Sequence, residues 1–255
     1  MSRFFELAVF YVRLFLMLIW TVIASLIAMP LALVRWRNAE NNYFFAQVYG
    51  PIACAIMGIR VSVEGRENLA VRPATFVANH QSGLDMATMS HVYPKGAVVI
   101  AKKEIKRIPA FGLMLNAFGN VFIDRSDRQN SLSGLNAAVS YMKRKNLSAW
   151  IFPEGTRNAS GEGLLPFKKG AFHMAIESGE PIVPVVCSKF ERLVNFKRRY
   201  ARSGHMVIRV LPPIPTKGLS KDQADALLES TRNQMLATLI EVSAKAEAMD
   251  RPSSA

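Results

Sequence analysis

From about residue 60 onward the chain alternates short apolar runs with segments of helical periodicity, and this alternation limits the folds that it can adopt. Several runs have the length and composition of buried strands. They are Arg60–Val63, Thr75–Ala78, Ala97–Ala101, Val121–Asp124, Ala149–Phe152, Ile182–Val186 and Val207–Leu211. Helical patterns such as Ser131–Lys145 and Phe167–Glu177 lie between several of them. Because strands that alternate with helices assemble into sheets covered by helices, we predict an α/β fold with a mixed sheet of about seven strands flanked by helices.

The N-terminal part of the chain precedes this alternating region and is strongly apolar. The stretch from Leu14 to Val34 contains no charged residue and is bounded by Arg13 and Arg35. At about 1.5 Å per residue, a helix of this length measures roughly 31 Å, which matches the hydrocarbon core of a bilayer. Pro30 predicts a kink near the end of that helix.

A second apolar stretch, Tyr43–Ile59, follows, and Gly50 and Pro51 interrupt it. Two arrangements stay open: one helix that spans the bilayer, or a kinked helical pair that dips into one leaflet. A cleaved signal peptide is a third interpretation, which Glu6 and an indistinct cleavage site disfavour. We expect N-terminal membrane-anchoring helices over residues 1–59, an α/β domain over residues 60–249 and a disordered tail over residues 250–255.

The chain combines a net charge of +13 with a hydrophobic content of 50%. A basic balance indicates nucleic acid or an anionic surface as partner, but no zinc-finger spacing or RNA-binding aromatic strand accompanies the basic clusters. With the apolar N-terminus, an anionic bilayer surface is the predicted partner and nucleic acid is not. Two cysteines, Cys54 and Cys187, favour a reducing compartment. We expect the protein at the membrane, on the cytoplasmic face of the inner or plasma membrane.

A histidine and an aspartate lie close together in the segment Asn79–Asp85, directly after the predicted strand Thr75–Ala78. An ideal helix turns about 100° per residue, so positions five apart lie roughly 140° apart on its surface. His80 and Asp85 therefore meet well only if His80 lies in a loop and Asp85 in the first turn of the next helix. His80 can then take a proton from a hydroxyl group while Asp85 orients the imidazole. The alternative is a polar turn in which Asp85 caps the helix and His80 is a surface residue.

Charged residues also follow two later strands. Asp124 and Arg125 come after one of them, and the block Phe152–Arg157 comes after the next. Because ligands of α/β sheets bind beyond the strand ends, the two arginines can hold a phosphate there. Each arginine taken singly also fits a salt bridge with Asp124 or Glu154. Pro184, within a later apolar run, predicts an edge, a strand end or irregular pairing.

Four short blocks follow one another along the chain. They are Asn-His-Gln-Ser-x-x-Asp (79–85), Gly-x-x-Phe-Ile-x-Arg (119–125), Phe-Pro-Glu-Gly-Thr-Arg (152–157) and Val-Pro-Val (183–185). In this order they resemble the glycerolipid acyltransferase family, and within it the 1-acyl-sn-glycerol-3-phosphate acyltransferase branch. The resemblance covers roughly residues 55–215 and also fits the apolar N-terminus. Gly83 departs from the pattern, because many members carry an aromatic residue there, and Asn158 is a smaller departure.

The resemblance implies a role for each matching residue. His80 would be the general base on the acceptor's hydroxyl group and Asp85 its orienter, and the activated oxygen would attack an acyl thioester directly. Arg125 and Arg157 would bind the acceptor phosphate. Further substrate contacts are implied for Glu154, Gly155, Thr156 and Lys103, with Lys102 and Lys168 as additional anion contacts and Pro184 on the acyl side. Neither a metal nor a cofactor is implied, and acyl-CoA or acyl carrier protein is the co-substrate.

The implied reaction is acylation of the sn-2 hydroxyl of 1-acylglycerol 3-phosphate, which gives phosphatidic acid for phospholipid biosynthesis. Glycerol 3-phosphate, another lysophospholipid and a lyso-aminolipid are alternative acceptors. From a different class, a non-catalytic lipid-binding protein at the membrane surface shares the composition but does not need His80 and Asp85 together. A serine hydrolase is disfavoured because the chain lacks Gly-x-Ser-x-Gly, and a Rossmann or P-loop enzyme because no matching glycine loop occurs.

Overall fold

The structure is a computed structural model that describes residues 2–108, 111–124, 128–158 and 162–251. Strands in these ranges are numbered in chain order. They are β1 (Ile59–Glu64), β2 (Thr75–Ala78), β3 (Ala97–Lys102), β4 (Val121–Ile123), β5 (Ser148–Ile151), β6 (Ile182–Cys187), β7 (Val194–Asn195), β8 (Tyr200–Ala201) and β9 (Gly204–Val210). The central sheet has seven strands in the order β1-β9-β6-β2-β5-β3-β4, while β7 and β8 form a separate pair. Each predicted apolar run corresponds to one strand of the central sheet, so the predicted α/β fold is confirmed.

Five neighbouring strands of the sheet point the same way. β6, β2, β5, β3 and β4 pair in parallel, whereas β9 is antiparallel to β6 and β1 runs parallel to β9. The sheet is therefore mixed, as predicted. Because the five parallel strands end at the same edge, the loops that follow them lie side by side there.

Helices cover both faces of this sheet. They are α1 (Arg3–Val34), α2 (Glu40–Met57), α3 (Asp85–Thr88), α4 (Phe111–Ala117), α5 (Arg128–Lys145), α6 (Gly170–Ser178) and α7 (Ala224–Asp250). Successive side chains of a strand point to opposite faces, and on β2 Phe76 enters the core with α2, while Val77 enters the core with α5, α6 and α7. Each face of the central strands is thus closed by its own apolar layer.

Helix α2 corrects one expectation. An interruption was predicted at Gly50 and Pro51, but the helix is continuous from Glu40 to Met57. A Cβ atom on Gly50 would come within 1.4 Å of Ser90 Oγ, so the glycine allows α2 to pack closely on the turn after α3. Helix α1 likewise continues through Pro30 to Val34.

The position of Pro184 in the sheet also differs from one of the predicted alternatives. It lies inside β6, an interior strand between β2 and β9, so the edge position is wrong. The pairing around it is nevertheless irregular. Its carbonyl oxygen accepts a hydrogen bond from Leu211, and the next bridge on that side joins Ile182 to Ile214. The missing N–H group of Pro184 therefore faces the gap in the pairing, where no donor is needed.

The two ends of the chain have distinct environments. By length and composition α1 is a candidate membrane-spanning helix, and only 17% of its most apolar segment is buried. At the other end, Asp250 is the last residue of α7, and its carboxylate accepts hydrogen bonds from the side chain and the backbone N–H of His205. Residues 252–255 of the predicted tail lie outside the described residues. The division of the chain at residue 59 stays a prediction.

Candidate active site

The loop between β2 and α3 brings His80 and Asp85 together. His80 lies in the loop, Asp85 is the first residue of α3, and Nδ1 of His80 is 2.6 Å from Oδ2 of Asp85. This geometry is the predicted one. The side chain of His80 is 23% exposed and that of Asp85 is 1% exposed. Because the carboxylate holds Nδ1, Nε2 is the ring nitrogen left to accept a proton from a bound molecule.

The carboxylate of Asp85 faces its own loop. Its Oδ2 atom also accepts hydrogen bonds from the backbone N–H groups of Gln81, at 2.6 Å, and Ser82, at 3.0 Å. The residue before α3 is Leu84, and α3 has no side-chain cap. The alternative in which Asp85 caps the helix is therefore wrong. Asp85 instead fixes both the imidazole and the loop that carries it.

The side-chain amides of Asn79 and Gln81 fasten the same loop to the end of β6. Asn79 accepts the N–H of Cys187 at 2.8 Å and donates to its carbonyl oxygen at 3.0 Å. Gln81 donates to the carbonyl oxygen of Ser188 at 3.0 Å. Neither amide was predicted to have a role. The sequence feature that could have indicated this role is the amide residue on each side of His80.

Glu154, which follows β5, bridges two segments of backbone. Its Oε1 atom accepts the N–H of His80 at 2.7 Å, and its Oε2 atom accepts the N–H of Leu165 at 2.9 Å. The residue is 2% exposed, and burial raises the pKa of its carboxyl group, although the two hydrogen bonds oppose that effect. Both oxygens face the backbone rather than Arg157, so the salt bridge considered between them does not form. Glu154 thereby ties the loop of His80 to the loop after β5.

Two further residues enclose His80. The ring of Phe152 stacks on the imidazole, with centroids 4.1 Å apart and an interplanar angle of 20°. The backbone N–H of Asn158 donates to the carbonyl oxygen of His80 at 2.8 Å. The stacked ring limits rotation of the imidazole, and the Asn158 contact holds its backbone. From the sequence, Phe152 was considered only as part of the block Phe152–Arg157, and its contact with His80 was not predicted.

Cationic groups lie beside this loop. Nη1 of Arg157 is 3.9 Å from the place that a Cβ atom on Gly83 would occupy, and Gly83 otherwise meets nothing within 4 Å among the described residues. Gly155 has a φ of +69°, and Nζ of Lys168 lies 3.0 Å from the place of its missing Cβ atom. Thr156 and Arg157 are exposed. A guanidinium and an ammonium group can therefore bind an anion close to the motif of His80.

The remaining predicted residues lie further along the same edge or within the sheet. Lys103 follows β3 and forms an ion pair with Asp124, with Nζ 2.9 Å from Oδ2. Arg125 lies outside the described residues. Pro184 is buried in β6 opposite Val77. Substrate contacts by Lys103, Arg125 and Pro184 stay predictions.

Comparison with known proteins places the chain in a family. The family model described as Acyltransferase matches residues 60–188. The 1-acyl-sn-glycerol-3-phosphate acyltransferase of Saccharomyces cerevisiae is 39% identical over 225 residues, which cover 87% of this chain and 72% of that protein. Human 1-acyl-sn-glycerol-3-phosphate acyltransferase alpha is 38% identical over 225 residues, covering 88% of this chain and 79% of that protein.

A solved structure shows the same fold. The crystal structure of the 1-acyl-sn-glycerophosphate (LPA) acyltransferase PlsC from Thermotoga maritima matches with a TM-score of 0.70 and 24% sequence identity, covering 92% of this chain and 98% of that chain. Family model, relatives and fold agree with the order of the four blocks in the sequence. The chain belongs to the glycerolipid acyltransferase family, and it is an O-acyltransferase.

Proposed function

We propose that this O-acyltransferase transfers an acyl group from an acyl thioester to the free sn-2 hydroxyl of 1-acylglycerol 3-phosphate, giving phosphatidic acid in phospholipid biosynthesis. The observation that carries the proposal is one loop in which a carboxylate holds an imidazole at 2.6 Å and a guanidinium group lies 3.9 Å from the glycine position. The imidazole thus belongs to the loop that the guanidinium group adjoins at Gly83. The names of the yeast and human relatives, which specify 1-acyl-sn-glycerol 3-phosphate, support the same acceptor.

In this proposal His80 is the general base and Asp85 its orienter. Nε2 of His80 takes the proton of the acceptor hydroxyl as its oxygen attacks the thioester carbonyl. The carbon–oxygen ester bond forms, the carbon–sulfur bond breaks, and the imidazolium returns the proton to the departing thiolate. Asp85 stabilises the imidazolium in between. Thiolates leave readily, so proton removal and positioning supply most of the acceleration.

Direct attack by the acceptor is consistent with the burial of the serine and the cysteine near His80 that could otherwise act as nucleophiles. Ser82 is buried, and its Oγ atom accepts the N–H of Leu84 at 3.1 Å. Cys187 is fully buried, and burial raises the pKa of its thiol well above the ordinary value, so it stays a protonated, inaccessible group. An acyl-enzyme is therefore not required. The donor is acyl-CoA or acyl carrier protein.

The acceptor phosphate is bound by Arg157, with Lys168 and Arg125 as further partners. A guanidinium group can form two parallel hydrogen bonds to phosphate oxygens. A Cβ atom on Gly83 would meet only this guanidinium group within 4 Å among the described residues, so the glycine leaves space beside Arg157 for the acceptor. Glycerol 3-phosphate and other lysolipids are the competing acceptors, and they differ from the proposed one in their acyl chain or headgroup.

A substrate panel tests this assignment. Detergent-purified protein is offered 1-acylglycerol 3-phosphate, glycerol 3-phosphate, a lysophospholipid and a lyso-aminolipid, each with acyl-CoA and with acyl carrier protein as donor. We expect 1-acylglycerol 3-phosphate to have the highest kcat/KM. Arg157→Gln should raise the acceptor KM by about tenfold or more, because a charge-assisted hydrogen bond contributes roughly 1.5–3 kcal/mol. Arg251→Gln, at an exposed position, is the control. A preference for a phosphate-free acceptor would show that the phosphate role is wrong.

The variant Glu154→Gln should show whether Glu154 positions the loop of His80 or binds the acceptor. The amide keeps the shape of the side chain but has one acceptor oxygen for two N–H groups, so either the His80 loop or the Leu165 segment loses its contact. We expect kcat to fall by about 10–100-fold, since a shift of about 1 Å at a reacting group can cost that much, with little change in acceptor KM. Glu229→Gln, on the exposed face of α7, should behave like the wild type. A change confined to KM would instead make Glu154 a substrate-binding residue.

We also propose that α1 and α2 lie in one leaflet, on the cytoplasmic side of the membrane. Both ends of α1 contact the same α/β body. Near its start Arg3 donates to the carbonyl oxygen of Arg198 at 2.7 Å, and just after its end the N–H of Arg37 donates to Ala117 at 2.7 Å. A spanning helix would instead carry its ends to opposite faces of the bilayer.

Cysteine labelling can decide between the two arrangements. Ser2→Cys and Trp36→Cys place one thiol at each end of α1, while Cys54 and Cys187 are buried in the fold. In inverted membrane vesicles we expect a membrane-impermeant maleimide to label both introduced thiols. Labelling of only one end would indicate a spanning helix. Labelling of neither would place the body on the opposite side of the membrane.

A further inference from the structure

A basic cavity opens at the end of the sheet opposite the His80 loop. Its volume is about 210 Å³, and its walls include Arg66, Arg72, His91 and Lys95. Arg72 precedes β2, and Lys95 precedes β3, whereas His80 follows β2. The cavity is therefore separate from the candidate active site by the length of the strands.

Three cations face this cavity without a carboxylate partner. Nη1 of Arg66 donates to the carbonyl oxygen of His91 at 3.4 Å, and Nη1 of Arg72 donates to that of Lys95 at 3.3 Å. Nζ of Lys95 lies 5.3 Å from the ring centroid of Tyr43. In the described part of the chain, none of the three lies within 4 Å of a carboxylate, although Glu67 follows Arg66 in sequence and Oε1 of Glu40 lies 3.8 Å from the place of a Cβ atom on Gly96, next to Lys95. Arg66 and Arg72 thus donate to backbone oxygens rather than to carboxylates, and none of the three cations forms an ion pair within the described residues.

The cavity borders an exposed apolar stripe of α2. Phe44, Val48 and Ile52 are spaced four residues apart on one side of the helix and are 44%, 50% and 43% exposed. Tyr43 and Gln47, one position earlier in each turn, line the cavity. A molecule with a charged head in the cavity can therefore extend an apolar portion along the stripe without leaving the protein surface.

We propose that this cavity binds the phosphate group of an anionic diacyl phospholipid, whose acyl chains lie along the stripe of Phe44, Val48 and Ile52. Two guanidinium groups and an ammonium group attract an anion and can donate hydrogen bonds to the oxygens of a phosphodiester. The stripe favours a lipid over a free phosphate, because only a lipid covers both the charge and the apolar surface. This inference uses the proposed placement of α1 and α2 in the membrane and assigns a second lipid site away from the acylation site.

The test measures binding of dioctanoyl phosphatidylglycerol to the full chain in a neutral maltoside detergent by native mass spectrometry. We expect Arg66→Gln/Arg72→Gln to weaken binding by about tenfold or more, because two charge-assisted contacts are removed. The charge-matched control Arg144→Gln/Lys145→Gln, on the exposed end of α5, should bind as the wild type does. Arg157→Gln should also bind normally, since it lies at the other end of the sheet. Lys95→Gln is a second variant that reports on the cavity if the double variant is unstable.

Four results can overturn the proposal. Equal affinity of the wild type and the Arg66/Arg72 or Lys95 variants would remove the cavity as the site. Loss of binding in Arg157→Gln would assign the lipid to the active site. Equal binding of dioctanoyl phosphatidylcholine, or inorganic phosphate competing at the same concentration as the lipid, would exclude recognition of an anionic lipid. None of these results depends on turnover or on vesicle labelling, so failure here is distinct from failure of the proposed function.

Discussion

His80→Ala is expected to lower kcat by about 10²–10⁴-fold, the usual contribution of a general base, while the protein stays folded. Removal of the imidazole takes away the proton acceptor but leaves the contacts of Asp85 and Glu154 to the loop backbone and the hydrogen bonds of Asn79 to Cys187. The decisive measurement is steady-state turnover with 1-acylglycerol 3-phosphate and acyl-CoA, together with the thermal unfolding midpoint of the same sample.

The control for this variant is His173→Ala, which removes a half-buried histidine from α6. It should retain turnover within about twofold, as expected of a substitution away from the reacting groups. Added imidazole should restore part of the activity of His80→Ala, because a small base can enter the vacated space. Near-normal turnover of His80→Ala with an unchanged unfolding midpoint would rule out the base role.

Asp85→Asn is expected to lower kcat by about 10²–10⁴-fold, as loss of the orienting carboxylate does in other base–carboxylate pairs. The amide oxygen can still accept the N–H groups of Gln81 and Ser82, so the loop is retained. A neutral amide, however, does not stabilise the imidazolium that forms when His80 takes a proton. Acceptor KM should change little, since Asp85 is 1% exposed and its Oδ2 atom contacts His80 and the backbone of its own loop.

A double variant tests whether the two residues act as a unit. His80→Ala/Asp85→Asn should be no slower than His80→Ala alone, because the carboxylate acts through the imidazole. Asp222→Asn, at an exposed position, serves as the single-site control. Losses in kcat that multiply in the double variant would mean that Asp85 contributes independently of His80.

The central sheet could be predicted closely because its inner strands β2, β5 and β6 are buried on both faces. Such strands appear in sequence as short apolar runs, and Thr75–Ala78 coincides with β2 at both ends. The two-residue strands β7 and β8 are too short to give a periodic signal. The continuity of α2 through Gly50 could not be predicted for another reason. It depends on Ser90, forty residues away, whose side chain occupies the space that a side chain at position 50 would need.

For the candidate active site, the pair His80 and Asp85 could be predicted from the sequence, but the backbone contacts around it could not. Spacing limits how His80 and Asp85 can meet, and the loop-to-helix arrangement follows from that. The amino-acid sequence does not show which side chain accepts a given backbone N–H group. Glu154 was therefore assigned to the substrate pocket by its block, although both of its oxygens accept N–H groups, from His80 and from Leu165.

The loop of His80 is anchored to residues far away in sequence. Asn79 bonds Cys187, 108 positions later, and His80 bonds Glu154, 74 positions later. A chimera between two relatives that exchanges only the first block would place this loop against foreign anchors. Crossover points should therefore fall before residue 75 and after residue 188, so that the loop of His80, Glu154 and the end of β6 come from the same parent.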